Sequence, residues 1–210
     1  MKLLFATGNR GKLREAREIL GDDFELLAPF ELGITGEPEE NGTTLEANSL
    51  IKAEFIHAVS GMDCFADDTG LEVDALGGAP GVHAARFAAD IARRDGLPAP
   101  ADHDFSANID ALLSELEKHL GEPRTARFRS VITLIINGER HTFEGVLEGR
   151  IAYGRSGSGG FGYDPVFIAD EYPDRSVAEL PQEVKNAISH RGKSLRALAQ
   201  WLKENCAFEK

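Results

Sequence analysis

The first third of the chain alternates apolar runs of strand length with helical patterns. Lys2 to Ala6 and Phe24 to Ala28 are apolar runs that predict strands, and the helical spacing between them is set by Leu13, Ala16, Ile19 and Leu20. Thr43 and Glu46 match a capping box at the start of a second helix, which the apolar spacing extends to about Ser60. We therefore expect the order strand, helix, strand, helix.

The middle of the chain predicts two short strands, a loop and a helix. Asp63 to Asp67 and Leu71 to Leu76 have strand character on either side of an acidic turn. Ile91 to His103 lacks periodicity and predicts a mobile surface loop, to which no chemistry is assigned. Asp104 is placed to cap a helix whose buried face is predicted to contain Ile109, Leu112, Leu113, Leu116 and Leu120.

A hairpin and two helices are predicted near the end of the chain. Thr125 to Ile136 has strand character, Asn137-Gly138 is a strong hairpin signal, and Arg140 to Leu147 is the expected antiparallel partner. Pro181 suits the first turn of a helix. After Ser189 to Lys193, a last helix is marked by Leu195, Leu198, Ala199 and Leu202. Early alternation and a late hairpin predict an α/β fold with a mixed sheet.

Length, charge and cysteine content limit the number of domains, the binding partners and the compartment of this protein. A chain of 210 residues fits one domain or two joined lobes, and its net charge of −12 disfavours binding to an extended nucleic acid. Cys64 and Cys206 are too far apart for a secreted disulfide framework, and there is no leader pattern, so we expect a cytoplasmic protein. No apolar stretch approaches the roughly 20 residues of a membrane helix.

An acidic stretch supplies candidate metal ligands. Asp67, Asp68 and Thr69 follow an apolar run, and adjacent carboxylates suit Mg²⁺, which prefers oxygen ligands and completes its shell with waters and phosphates. Asp67 is either a second ligand or a support for the first. Taken alone, the stretch is equally typical of a strand that ends in an Asp-Asp turn.

Three early residues and two lysines suit phosphate binding. Thr7-Gly8-Asn9 lies between a strand and a helix, where backbone N–H groups and the helix dipole favour an anion. Lys12 and Lys52 are candidate clamps for phosphate oxygens. An isolated helical lysine is more often a solvated surface residue, and Glu40 lies in a run that would otherwise be loop charge.

The late glycine-rich loop and a following basic pair suit recognition of a purine. Phe161 lies among glycines that allow close backbone approach, and it is either a base-stacking ring or a core aromatic. A guanidinium fork matches the O6 and N7 acceptors of a 6-oxopurine, whereas adenine has a donor at position 6. Arg191 is the candidate for this contact, with His190 beside it. For His190 the alternative is a charge at a helix end.

Five motifs together resemble the inosine triphosphate pyrophosphatase family, which removes deaminated purine nucleotides. They are Thr-Gly-Asn-x-x-Lys, Ala-Asp-Asp-Thr-Gly-Leu, Gly-Gly-Ala-Pro-Gly, Gly-Gly-Phe-Gly-Tyr-Asp-Pro and Ser-His-Arg-Gly. They follow the family order and cover nearly the whole chain. The resemblance implies one domain over residues 1–210, with an elongated two-lobed fold, a cleft between the lobes and a homodimer.

The resemblance also implies an activity and a set of site residues. A Mg²⁺-dependent enzyme would cut inosine, deoxyinosine or xanthosine triphosphate between the α- and β-phosphates and release pyrophosphate. Glu40 and Asp68 match the family's metal ligands, and Asp68 is also the general base, with Lys52 as the second catalytic residue. The substrate-binding positions are Thr7, Gly8, Asn9, Lys12, Thr69, Phe161, Gly162, Tyr163, Asp164, Lys185, His190 and Arg191.

Two other functions are compatible with part of this pattern. A sensor could bind a modified purine nucleotide without turnover, but recognition alone would not need both Glu40 and Asp68 poised for a metal. Binding to RNA or DNA is disfavoured by the net charge. The expected partner is a small nucleotide rather than a nucleic acid or a membrane.

Overall fold

The chain forms two compact units in a computed structural model that describes residues 1–206. Unit 1 comprises residues 1–69, 130–146 and the described part of the chain from 188 onward. Unit 2 comprises residues 70–129 and 147–187. The single two-lobed domain implied by the resemblance stays a prediction.

Within residues 1–206, seven strands form a mixed sheet, as the sequence predicted. They are β1 Lys2–Phe5, β2 Glu25–Leu27, β3 Cys64–Val73, β4 Pro80–Gly81, β5 Thr125–Ile136, β6 Glu139–Ile151 and β7 Phe167–Ala169. Their order in the sheet is β2-β1-β3-β5-β6-β7, and β4 pairs with β3. The β1 strand is parallel to β2 and β3, whereas the β3–β4 and β6–β7 pairs are antiparallel.

Six α-helices accompany the sheet in the described residues, which confirms the α/β class. They are α1 Arg10–Leu20, α2 Leu45–Ser60, α3 Phe87–Arg94, α4 Phe105–Glu117, α5 Gln182–Ile188 and α6 His190–Asn205. Helices α1, α2 and α6 belong to unit 1, and α3 and α4 belong to unit 2. Within residues 1–206, no helix combines the length and the apolar character needed to cross a membrane.

Side-chain alternation along β1 and β3 divides the core of unit 1 into two layers. Leu3, Phe5 and Phe65 pack with the buried faces of α1 and α6, and the Phe5 and Phe65 rings stack with centroids 4.4 Å apart. Leu4 and Ala66 pack on the other side with Ala53 and Ile56 of α2. Because successive residues of a strand point to opposite faces, the residues that follow Phe65 and Ala66 inherit the same division.

The hairpin after β5 forms as predicted. Asn137 and Gly138 both have positive φ, at 51° and 79°, which is the backbone that a two-residue turn of type I′ requires. The β5 strand has the predicted bounds, whereas β6 continues four residues beyond Leu147 to Ile151. The extension is stabilised by antiparallel pairing with β7, which local sequence does not reveal.

The prediction of two strands around an acidic turn is wrong. Residues 64–73 form one continuous strand, and Asp67 and Asp68 lie inside it with 2% and 8% of their surface exposed. Aspartate has low strand propensity, but propensity is weak beside tertiary interactions. In this strand, lysine partners stabilise both carboxylates.

Several predicted helix boundaries also need correction. Residues 91–94, predicted as the start of a mobile loop, complete α3. Thr44 rather than Thr43 caps α2, where its side chain accepts a hydrogen bond from the Ala47 backbone. Leu120 lies beyond α4 and is 86% exposed, so it does not belong to the buried face. His190 begins α6, so the basic pair belongs to the helix rather than to a connection.

A network of ion pairs joins α3 to α4 in unit 2. The Arg94 guanidinium donates to both carboxylate oxygens of Glu115 at 2.9 Å, and the Lys118 ammonium lies 2.6 Å from the same carboxylate. The Arg94 hydrogen bonds, aided by Lys118, outweigh the effect of burial and lower the pKa of Glu115 to about 2. The charged form of Glu115 therefore stabilises the folded state.

We predict that Glu115→Gln removes a pH-dependent part of the stability. A carboxyl whose pKa is lowered by folding stabilises the protein above its unfolded pKa of about 4.3, and this contribution is lost as the pH falls toward about 2. Urea unfolding of both proteins between pH 6 and 2 measures the difference. It should be largest near neutral pH and shrink on acidification; a difference that stays constant across this range would contradict the prediction.

Candidate functional site

The two adjacent aspartates of β3 face opposite sides of the strand in unit 1. Asp67 contacts residues of α1 and α6, whereas Asp68 contacts Lys52 of α2. The division follows the strand alternation that also separates Phe65 from Ala66. A pair that is adjacent in sequence therefore forms two different charge networks.

Asp67 lies at the centre of a buried network. One carboxylate oxygen accepts a hydrogen bond from the Lys12 ammonium at 2.8 Å, and the other accepts from Arg191 Nε at 3.0 Å and from the Thr69 hydroxyl at 3.3 Å. Burial alone would raise the pKa of Asp67. The positive charges of Lys12, Arg191 and Lys52 outweigh it and hold that pKa well below its ordinary value, so Asp67 is ionised.

Arg191 is held in this network by three side chains. Besides Asp67, its guanidinium forms an ion pair with Glu15 of α1 and donates to the Thr69 hydroxyl at 3.3 Å. Only 2% of Arg191 is exposed. Because it lies in the first turn of α6, where the helix dipole disfavours a cation, the two carboxylates are needed to stabilise its charge.

Asp68 and Glu40 share one cation on the other side of the strand. The Lys52 ammonium donates to Asp68 at 2.7 Å and to Glu40 at 3.0 Å. Burial raises the pKa of Asp68 despite the nearby positive charge of Lys52. Burial alone would lower the pKa of Lys52, but the carboxylates of Asp68, Asp67 and Glu40 outweigh it and raise that pKa.

The chemistry of this donor set fits a hard divalent cation. No three or more His, Cys, Asp or Glu side chains converge on a possible metal position in residues 1–206. The carboxylates of Glu40 and Asp68, however, both form ion pairs with the Lys52 ammonium. Mg²⁺ is commonly held by one or two carboxylates, with waters and substrate phosphates completing its shell. Glu40 and Asp68 therefore fit such an ion as its protein ligands.

Some backbone N–H groups of the predicted phosphate turn already donate to side chains of the turn itself. The Asn9 side chain caps α1 by accepting from the backbone N–H groups of Gly11 and Lys12, at 2.9 and 3.1 Å. The Thr7 hydroxyl accepts from the Asn9 backbone at 3.1 Å. A Cβ at position 8 would lie 2.7 Å from a carboxylate oxygen of Glu37, so glycine avoids a close contact there. Of the N–H groups expected to receive phosphate, two already donate to Asn9.

Phe161, Asp164 and Lys185 form a second cluster, which lies in unit 2. A single carboxylate oxygen of Asp164 accepts from the Phe161 backbone N–H and from the Lys185 ammonium, each at 2.8 Å. The same ammonium lies 4.7 Å from the centroid of the Phe161 ring. Asp164 and Lys185 are buried, whereas Phe161 is only half-buried. The ring is therefore a partly accessible platform rather than a core residue.

Two neighbouring residues of the glycine loop have backbone and packing roles. Tyr163 is buried, and its hydroxyl donates to the Ala84 carbonyl at 2.8 Å. Burial raises its pKa, so the phenol stays protonated. Gly162 has a φ of 63°, a conformation that glycine adopts at little cost. The predicted contacts of Gly162 and Tyr163 with substrate stay predictions.

Three residues that support the site were missed by sequence reasoning. No role was predicted for Glu15, which is 4% exposed and pairs with Arg191. The Ser49 hydroxyl donates to the Ala66 carbonyl and accepts from the Thr133 backbone, so it joins β3 to β5 beside the aspartates. Gly145 lets β6 approach the first turn of α6. The charge of Glu15 and its position on α1 could have indicated an ion pair. Nothing in the local sequence indicates the contacts of Ser49 or Gly145.

Comparison with known proteins identifies close relatives along nearly the whole chain. Residues 3–201 match the model of the Ham1 family. The dITP/XTP pyrophosphatase of Porphyromonas gingivalis is 48% identical, over 96% of this chain and 97% of that protein. The protein of the same name from Bacillus subtilis is 43% identical, over 95% of this chain and 96% of its own length. The resemblance drawn from five motifs is confirmed.

Solved structures agree with this match. A HAM1 protein from Coxiella burnetii has a TM-score of 0.84 at 35% identity, covering 97% of this chain and 99% of that one. The Ham1 protein of Staphylococcus aureus has a TM-score of 0.83 at 33% identity, with coverage of 98% and 100%. The likeness extends over the fold as well as the motifs.

We predict that Gly145→Ala lowers the free energy of unfolding of the protein. An added Cβ would overlap the carbonyl oxygen of His190 and lie 2.6 Å from the Ser194 backbone nitrogen, so α6 would have to shift. Overpacking of this kind costs about 1–3 kcal/mol, measurable by urea unfolding. Gly154→Ala is the matched control, because its Cβ would meet no atom within 4 Å. Equal stabilities of the two variants would contradict the prediction.

Proposed function

The chain belongs to the Ham1 family, and from that premise we propose that it is a Mg²⁺-dependent nucleoside triphosphate pyrophosphatase. Its substrates would be inosine, deoxyinosine and xanthosine triphosphates, which it would hydrolyse to a nucleoside monophosphate and pyrophosphate. The names of the relatives from Porphyromonas gingivalis and Bacillus subtilis support this class of substrate. The role would be removal of non-standard purines from the nucleotide pool. A homodimer and a cytoplasmic location stay predictions from the resemblance.

The observation that carries the proposal is the group formed by Glu40, Lys52 and Asp68. One ammonium lies 2.7 Å from Asp68 and 3.0 Å from Glu40, so two oxygen ligands and a phosphate-binding cation occur together. Hydrolysis at phosphorus depends mainly on positioning and charge neutralisation. A protein that only recognised a nucleotide would not need Glu40 and Asp68 together at one ammonium, in a position to hold a metal.

Each residue of unit 1 then has a physical task. Asp68, whose carboxylate lies 2.7 Å from the Lys52 ammonium, would accept a proton from the attacking water. Lys52 and Lys12 would neutralise phosphate oxygens, while Thr69 would donate its hydroxyl to substrate. The turn at Thr7-Gly8-Asn9 would hold the phosphates through backbone groups at the start of α1.

A divalent metal ion is typical of nucleotide pyrophosphatases, and Mg²⁺ is our specific proposal for this chain. Glu40 and Asp68 would be its protein ligands. When bound, Mg²⁺ would neutralise phosphate charge and lower the pKa of a bound water. Lys52, which pairs with both carboxylates, would be released to contact phosphate.

We propose that two sets of side chains recognise the base. Phe161, with Asp164 and Lys185 fixing its backbone and ring, would stack on the purine. Arg191, with His190 beside it, would read the O6 and N7 acceptors of a 6-oxopurine. Because three side chains of unit 1 already orient the Arg191 guanidinium, a base would meet a fixed donor rather than a mobile one.

We predict that the protein releases pyrophosphate from inosine triphosphate in the presence of Mg²⁺ and that Asp68→Asn abolishes this turnover. Loss of a positioned general base lowers a rate by about 10²–10⁴-fold. Nucleotide affinity, measured by calorimetry, should fall much less. Asp22→Asn, which changes an exposed aspartate of the same unit, should be fully active.

Other outcomes of this assay reject particular parts of the proposal. Release of orthophosphate instead of pyrophosphate would refute cleavage between the α- and β-phosphates. Tight binding of inosine triphosphate without turnover by the unaltered protein would favour the nucleotide sensor. A nearly unchanged rate in Asp68→Asn would remove Asp68 from the role of general base.

We predict that Phe161→Ala mainly raises KM for purine triphosphates. Stacking of a base on an aromatic side chain contributes about 1–3 kcal/mol, which corresponds to roughly 5- to 150-fold in affinity. Steady-state kinetics with inosine triphosphate measure the change. Tyr153→Ala is the control, since Tyr153 is an exposed aromatic side chain of the same unit. An unchanged KM in Phe161→Ala would argue that the ring only packs against Phe105 and Lys185.

A further inference from the structure

Asp67 is enclosed by donors that belong to two other parts of unit 1. It is 2% exposed, and its two oxygens accept from Lys12 of α1, from Arg191 of α6 and from Thr69 of its own strand. An ionised carboxylate offers about four acceptor positions. Three of these are used by protein donors, two of which are cations.

The direction of the Asp67 side chain separates it from the carboxylates proposed for Mg²⁺. Asp68 and Glu40 meet at Lys52, on the side of β3 that faces α2. Asp67 points to the side that packs against α1 and α6, together with Phe65. To join Glu40 and Asp68 on the α2 side, the Asp67 side chain would have to turn away from both of its cations, and buried cations without partners are costly.

The cations that Asp67 joins have different proposed tasks. Lys12 would bind the triphosphate, whereas Arg191 would read the base. Glu15 forms an ion pair with the same guanidinium, so two carboxylates set its position. The Lys12 ammonium, whose side chain is 17% exposed, forms an ion pair with Asp67 at 2.8 Å. The Asp67 carboxylate therefore links the Lys12 ammonium to the Arg191 guanidinium.

We infer that Asp67 is a positioning residue that couples base recognition at Arg191 to phosphate binding at Lys12, and that it does not bind the metal. The inference rests on the proposed function and deepens it. A base whose acceptors match the guanidinium leaves the contacts of Asp67 with Lys12 and Arg191 in place. A mismatched base displaces Arg191, and Asp67 then no longer holds Lys12 toward the phosphates. Discrimination among bases would thus appear in kcat as well as in KM.

The first test compares Asp67→Asn with Glu40→Gln, since both remove one carboxylate charge. We expect Asp67→Asn to lower kcat/KM for inosine triphosphate and to reduce the preference over adenosine triphosphate by about fivefold or more. The Mg²⁺ concentration for half-maximal rate should stay within about twofold of the unaltered protein. Glu40→Gln should do the reverse, raising that Mg²⁺ concentration and leaving the preference intact. An equal rise in the Mg²⁺ requirement of both variants would overturn the inference.

The second test is a double-mutant cycle between Lys12 and Asp67. Lys12→Gln does not alter a base contact, yet coupling predicts that it lowers the preference for inosine over adenosine triphosphate by about fivefold or more. In the Asp67→Asn background the same change should have no further effect on the preference. A preference that Lys12→Gln leaves unchanged would overturn the coupling. This variant decides the question even if Asp67→Asn fails to fold.

Controls separate coupling from a loss of structure and from failure of the proposed activity. Glu115→Gln removes a largely buried, ion-paired carboxylate far from these residues in sequence, and it should reduce stability without changing base preference. Nucleotide binding is measured by calorimetry for all variants, with inosine and adenosine triphosphates. If the unaltered protein binds but releases no pyrophosphate, the pyrophosphatase proposal fails while the binding preferences still test the coupling.

Discussion

The alternation of side chains along β3 is the constraint on which the site of unit 1 depends. Asp67 and Asp68 are neighbours in sequence, but a strand directs them to opposite faces. Each carboxylate then meets its own lysine, Lys12 on one side and Lys52 on the other. A single residue of slippage in the pairing of β3 would exchange the two environments. Parallel pairing with β1 and the stacked rings of Phe5 and Phe65 oppose such a shift.

Burial gives the two aspartates different electrostatic properties. Both lose water, which alone would raise the pKa of either carboxyl. Asp67 is surrounded by cations that outweigh this effect, so it remains ionised and serves as a fixed anchor. Asp68 has fewer compensating contacts, and burial raises its pKa. Two identical side chains thus have pKa values shifted in opposite directions by their surroundings.

The residues proposed to recognise the base are held in place by buried acidic side chains. In unit 2 a buried carboxylate, Asp164, orients the Phe161 backbone and the Lys185 ammonium at once. In unit 1 the ion pairs with Asp67 and Glu15 offset the unfavourable position of Arg191 at a helix N-terminus. In both cases a buried acidic residue holds a neighbour that is proposed to contact the purine. The residues proposed to contact the purine therefore depend on buried acidic neighbours for their position.

Local sequence determined the α/β class, the Asn137-Gly138 hairpin and most helices, because periodicity, turn chemistry and capping act over a few residues. The five motifs read from the sequence also identified the family. It did not determine that residues 64–73 form one strand, that Glu15 pairs with Arg191 or that Gly145 admits α6. Those outcomes depend on ion pairs and close packing between segments up to 176 residues apart, and only the tertiary structure brings them into contact.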